Sequence, residues 1–219
     1  MINQWKSKYN PDLADIVNRE VEKQEKLKGK NIEKKAPSEN VLIFSSRKDI
    51  FVLDDIGKKP IKIASRNGFV YALCSHNGIL YDGGSDSTKL FKSKIFETLT
   101  GKEVASRNGF VRALCSYNGI LYDGGDYYKV FETLTGKVVA RRDSSIFALC
   151  SHNGKLYGAG RKILETLTGK VVVSRDDWIM ALCSHNGKLY GGAGREIFET
   201  FTGKEVASRD GWVFALCSH

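Results

Sequence analysis

One ten-residue block constrains this chain more than any other feature. Ala181-Leu182-Cys183-Ser184-His185-Asn186-Gly187-Lys188-Leu189-Tyr190 recurs almost verbatim from Ala72, Ala113 and Ala148, and a last copy runs from Ala215 to His219. The starting points are 41, 35, 33 and 34 residues apart. A second block, Ile95-Phe96-Glu97-Thr98-Leu99-Thr100-Gly101-Lys102, alternates with it and returns from Val130, Ile163 and Ile197. Self-similarity at such a period means one supersecondary unit whose faces are buried only by its neighbours.

A period near 34 also suits helical repeats of the tetratricopeptide or ankyrin kind. Here each unit is rich in Val, Ile, Phe and Tyr and carries two glycine turns, which break helices and close hairpins. The first unit reads as four strands. Phe69–Ser75 is followed by Asn77-Gly78, whose residues favour the positive φ that a type I′ hairpin turn requires. Ile79–Asp82 comes next, then the Gly83-Gly84 loop, then Lys94–Leu99. Thr100-Gly101 turns the chain into Lys102–Ser106, and Arg107-Asn108-Gly109 leads to the next unit. Four antiparallel strands per unit describe one blade of a β-propeller.

The two ends complement each other. Residues 41–66 contain strand-like runs (Val41-Leu42-Ile43-Phe44, Ile50-Phe51-Val52-Leu53 and Pro60–Ala64) without the first strand of a unit, and residues 213–219 are a first strand with nothing after it. Together they make one composite blade. The expected architecture is therefore all-β: a five-bladed propeller over residues 41–219, closed by both ends of the chain. The other reading is part of a longer propeller of six or seven blades.

Residues 1–40 have a different composition. Asn10 is a good helix N-cap, Pro11 suits the first helical position, and Leu13, Ile16, Val17 and Val21 share one face. This predicts an amphipathic helix to about Lys28, stopped by Gly29 and followed by a polar linker containing Pro37. Such a helix packs on the propeller or docks to a partner.

From residue 41 the sequence resembles the WD-repeat family. The resemblance rests on the hairpin Asn-Gly, the Gly83-Gly84 loop, Phe96-Glu97 where that family has Trp-Asp, and the Thr-Gly-Lys that follows. The family's Gly-His before the first strand is replaced by Arg-Asn-Gly or Arg-Asp. Its aspartate in the loop between second and third strands is not kept, so its hydrogen-bond tetrad is not expected. The resemblance implies an interaction scaffold that binds through its top face. Weaker likenesses, to quinoprotein propellers and to tachylectin-type lectins, carry no shared motif.

The net charge of the 219-residue chain is +9. Residues 1–40 hold nine Lys/Arg against seven Asp/Glu, hence +2, which leaves +7 for the repeats. This charge serves solubility, or fits an anionic partner such as nucleic acid or a ribonucleoprotein. No apolar run is long enough for a membrane helix and the N-terminus lacks a secretion signal, so a cytoplasmic protein is expected. The five cysteines, Cys74, Cys115, Cys150, Cys183 and Cys217, hold one repeat position and read as buried packing, not disulfides.

Candidate partner-binding residues are those repeated at the junctions between units. Arg66, Arg107, Arg141, Arg175 and Arg209 form the set, followed by the aromatics Phe69, Phe110, Trp178 and Trp212. Next but one come Tyr71, Arg112 and Phe147. Arginine with aromatics is the composition of interface hot spots. The same residues equally suit bonding between blades and inter-blade packing. His76, His152, His185 and His219 share a turn position and read as structural. Glu97, Glu132, Glu165 and Glu199 sit in near-identical surroundings, which does not separate an acid from a base. No catalytic, metal or cofactor site is expected. A non-enzymatic scaffold for a protein partner is the first reading; a lectin-like propeller with one glycan or small-ligand site per blade is the alternative.

Overall fold

The computed structural model describes residues 2–6, 42–53, 59–86 and 92–216. Among these residues, twenty strands form five four-stranded antiparallel sheets. The first sheet is β1 (Ile2–Lys6), β2 (Leu42–Ser46), β3 (Asp49–Leu53) and β4 (Ile61–Ser65). The second is β5 (Val70–His76), β6 (Ile79–Gly84), β7 (Lys92–Glu97) and β8 (Glu103–Asn108). The third is β9 (Val111–Tyr117), β10 (Ile120–Gly125), β11 (Lys129–Glu132) and β12 (Val138–Arg141). The fourth is β13 (Ala148–His152), β14 (Lys155–Ala159), β15 (Lys162–Glu165) and β16 (Val171–Ser174). The fifth is β17 (Ile179–His185), β18 (Lys188–Ala193), β19 (Glu196–Glu199) and β20 (Glu205–Ser208).

Each sheet follows chain order, and apart from the long stretch between β1 and β2 every connection within a sheet is a hairpin or short loop. The first hairpin of the second sheet closes at Asn77 and Gly78, with φ of 48° and 74°, as the type I′ reading requires. All five sheets carry a register shift at one place between third and fourth strands, for example between Ile95 and Phe96. Such a bulge increases local twist. First strands β5, β9, β13 and β17 lie side by side, which is blade stacking around an axis.

The core sits between sheets. Four apolar clusters fill the four boundaries, such as Ala72, Cys74, Tyr81 and Ile95 of the second sheet with Val111, Leu114 and Leu121 of the third. Glycines allow this approach. A Cβ on Gly83 would meet Val111 Cγ1 of the third sheet at 2.7 Å, and beside β5 of the same sheet one on Gly84 would stand 1.8 Å from the Phe69 carbonyl oxygen.

The ends differ from expectation. The first strand of the first sheet is Ile2–Lys6, which pairs with Leu42–Ser46. The edge assigned from sequence to residues 213–219 is thus held by the N-terminal stretch. Residues 212–216 continue past the fifth sheet without joining a sheet. Val213 is nevertheless buried and packs where a Cβ on Gly192 would lie, as Val111 does over Gly83. Ring closure by the two ends does not follow from the described residues, which form no core cluster between fifth and first sheets. The expected helix at 11–28 and the linker after it lie outside the described residues.

Candidate interaction face and the arginine clasps

The junction arginines do not form an exposed crown. Arg66 leaves β4 and lies across the second sheet. Its Nε donates to Asp82 Oδ2 at 2.8 Å, its Nη2 donates to Asp82 Oδ1 and to the Thr98 carbonyl, and its guanidinium stacks 4.7 Å from the centre of Phe96. Arg107 repeats this on the third sheet. It donates to both oxygens of Asp123 and stacks 4.2 Å from Phe131. Desolvation would lower the Arg107 pKa, but the bond and charge of Asp123 outweigh it and raise it. Asp82 is held above the usual carboxylate range, because burial outweighs the bonds and charge of Arg66. The Tyr127 hydroxyl also donates to Asp123, and burial, then that carboxylate, push its pKa well up. These arginines clasp one blade to the next.

In the third junction the clasping residue is Arg142, not Arg141. Arg142 donates to the carbonyls of Arg141 and Thr166, the bonds that Arg66 makes to Ser65 and Thr98, whereas Arg141 is exposed. Arg142 lies 35 residues after Arg107, as Ala148 lies 35 after Ala113, so Arg142 holds the clasp position and Arg141 that of Ser106. Arg175 clasps the fifth sheet by stacking 4.1 Å from Phe198 and donating to the Gly203 carbonyl at 2.9 Å. Arg209 is exposed. Asp82 and Asp123 were not singled out from sequence. Their signal was the contrast with Gly158 and Gly191 at the same repeat position.

The aromatic candidates do come together. Phe69 stacks on Tyr71 at 6.1 Å, and Tyr71 meets Phe110 at 6.2 Å. The Arg112 guanidinium lies 4.5 Å from the centre of Tyr71, 5.3 Å from Phe110 and 6.0 Å from Phe147. Its charge is also paired with Asp126, Nη2–Oδ2 2.9 Å. Phe147 meets Trp178 edge-on at 5.3 Å, and Arg161 covers Trp178 at 4.7 Å. A row of rings thus crosses from the second sheet to the fifth at the ends of the first strands, with Arg112 in its middle. Arg161, in the loop between β14 and β15, is a member that the junction pattern did not reveal. Trp212 stacks on Phe214 at 6.4 Å beyond the fifth sheet. Phe69 and Trp212 are about half exposed, at 52% and 50%.

Two of the histidines join neighbouring sheets. His76 Nδ1 and Ser116 Oγ share a hydrogen bond of 2.9 Å, and His152 Nδ1 and Ser184 Oγ one of 2.8 Å, each joining neighbouring sheets. Burial lowers both imidazole pKa values. Burial pushes the Cys74 and Cys150 thiols up to about 12 and raises Cys115 as well. Among the described residues no group of three His, Cys, Asp or Glu is placed to hold a metal ion.

Comparison with known proteins identifies the class. The chain is similar to the WD40 β-propeller domain of Doa1, with TM-score 0.57, 14% identity, 81% of this chain covered and 68% of that one. It is also similar to a chain in the crystal structure of the mitotic checkpoint complex, with TM-score 0.56, 13% identity, 80% of this chain covered and 63% of the other. The fold is that of a WD-repeat-like β-propeller. No protein-family model and no curated protein matches the sequence.

Proposed function

We propose that this propeller is a non-enzymatic scaffold that binds a protein partner through the face bearing Phe69, Tyr71, Phe110, Arg112, Phe147 and Trp178. The observation that carries this reading is the aromatic row running across four blades with arginines laid over its rings. Rigid rings and arginines already stacked on them lose little entropy on binding, and such residues dominate interface energetics. Equal glycan sites on every blade fit less well, because the repeats differ where they face the row: Tyr71, Arg112, Phe147 and Met180 hold one repeat position. Free, buried thiols fit a reducing compartment such as the cytoplasm. The helix expected at 11–28 offers a second contact in this reading.

The test is affinity capture from native cell extract with wild type and with Trp178→Ala and Tyr71→Ala. The expected outcome is a stoichiometric protein partner whose recovery drops at least tenfold with either variant while the unfolding midpoint changes little. Equal recovery with all three proteins rejects this face. Recovery of nucleic acid instead, with affinity falling steeply as salt rises, supports the anionic-partner alternative.

A further inference from the structure

The clasps are not equivalent, and the difference singles out one place. In the second and third sheets the guanidinium meets an aspartate of the second strand, Asp82 or Asp123, each 1% exposed or less. In the fourth and fifth sheets the corresponding residues are Gly158 and Gly191. The register confirms this: Asp82 pairs with Leu73, Asp123 with Leu114, Gly158 with Leu149 and Gly191 with Leu182. The fifth sheet fills the difference with its own side chain. A Cβ on Gly191 would lie 2.5 Å from Phe198 Cζ, and the Arg175 guanidinium stacks on that ring.

The fourth sheet does not fill it this way. The residue at the Phe198 position is Leu164. A Cβ on Gly158 would meet Thr166 Oγ1 at 3.2 Å, tighter than ordinary contact, Leu149 Cδ2 at 3.4 Å and Ile146 Cγ2 at 3.9 Å; all three are side-chain atoms, and no backbone atom stands as near. Arg142 keeps the two carbonyl bonds of the clasp, and no described carboxylate forms an ion pair with it within 4.0 Å. The Thr166 hydroxyl is buried and makes no hydrogen bond among the described residues. The hydroxyls of Thr98, Thr133 and Thr200 at the same repeat position make none either, and Thr98 favours the charged form of Asp82. Burial lowers the Arg142 pKa, with Asp143 opposing. Arg142 is half-buried, so solvent reaches the guanidinium.

We propose that Arg142, Thr166 and Gly158 form a binding site for a small free carboxylate of formate or acetate size, which takes the place of the aspartate side chain of the sister blades. The sister blades supply the template. A carboxylate at this position receives two parallel N–H bonds from the guanidinium, the geometry at which arginine binds carboxylates most strongly. The glycine lacks the Cβ that the sister aspartates carry at this position, and the threonine hydroxyl adds a donor. The site does not depend on the aromatic face or on any partner.

The experiment uses the full chain. Thermal unfolding is followed while sodium acetate replaces sodium chloride at constant ionic strength, for wild type, Gly158→Asp and Arg142→Gln. Saturation transfer to the acetate methyl group reports binding directly. Wild type is expected to gain a few degrees in midpoint with acetate, on the order of 2–4 °C at saturating concentration. Gly158→Asp carries its own carboxylate and is expected to start with a higher midpoint and not respond. Arg142→Gln is expected to show neither response nor saturation transfer, and it carries the test if Gly158→Asp fails to fold. Three results overturn the proposal: no difference between acetate and chloride for wild type, an equal acetate response in Gly158→Asp, or undiminished saturation transfer in Arg142→Gln.

Discussion

Arg107 and Asp123, 16 residues apart in the chain, form a two-pronged ion pair almost sealed from solvent. The two bonds measure 2.8 and 2.7 Å, and the side chains are 8% and 0% exposed. Breaking one side of such a pair leaves a buried charge without compensation, at a cost of about 3–5 kcal/mol. Asp123→Ala is therefore expected to be severely destabilising in urea unfolding. The double variant Arg107→Met, Asp123→Leu is expected to recover much of the loss. A single variant within about 1 kcal/mol of wild type contradicts the clasp.

The glycines at the blade faces are not equal. Alanine at Gly84 puts a methyl 1.8 Å from a backbone oxygen of the neighbouring strand, and backbone does not move aside. Gly101 has φ of +71° but open space around it, so alanine there costs about 1 kcal/mol of conformational strain. Gly84→Ala is expected to lose at least twice as much, measured by the same urea titration. Equal losses would show that β5 and β6 are not held this closely.

Much of this architecture was legible because each repeat states its own strands. The Asn77-Gly78 turn fixed the first hairpin, and the predicted Phe69–Ser75 strand lies one residue from Val70–His76. What could not be read was any pairing that the repeat does not encode. Ile2–Lys6 has no copy elsewhere, and its partner strand begins 36 residues after its last residue. The sites were half legible. The aromatic row follows from repeated junction positions. The inward turn of Arg66 and Arg107 depends on single aspartates that two of the four complete repeats lack, and a pattern search that rewards identity passes over such a difference.

His76 and His152 give the fold a pH dependence of definite sign. Their folded pKa values lie below the ordinary value of about 6.5 because burial opposes the charged form. Above that value both states are neutral there and nothing is lost. As pH falls through it, the unfolded chain takes up protons that the folded chain refuses, so stability declines. His76→Gln with His152→Gln is expected to flatten the decline between about pH 7 and 5, measured as urea midpoint. Comparison with wild type separates the imidazoles from Asp82, whose raised pKa acts in the opposite sense. Parallel curves contradict this.

The inner-strand thiols are expected to be inert in the native state. Cys74 and Cys150, with pKa pushed up to about 12, offer almost no thiolate at neutral pH, and the thiolate is the nucleophile. A chromogenic disulfide reagent should modify both at the rate of unfolding, with the modified sites read by mass spectrometry. Fast native modification of either residue would show that the inner strands are open.

Every clasp described here reaches forward along the polypeptide. Arg66 leaves the first sheet for the second, Arg107 the second for the third, Arg142 the third for the fourth and Arg175 the fourth for the fifth. A ribosome thus delivers each fastener before the sheet it grips. The assembly also has a polarity under trimming: removing a whole sheet from the C-terminal side costs no surviving sheet its fastener, whereas removing one from the N-terminal side unfastens the next.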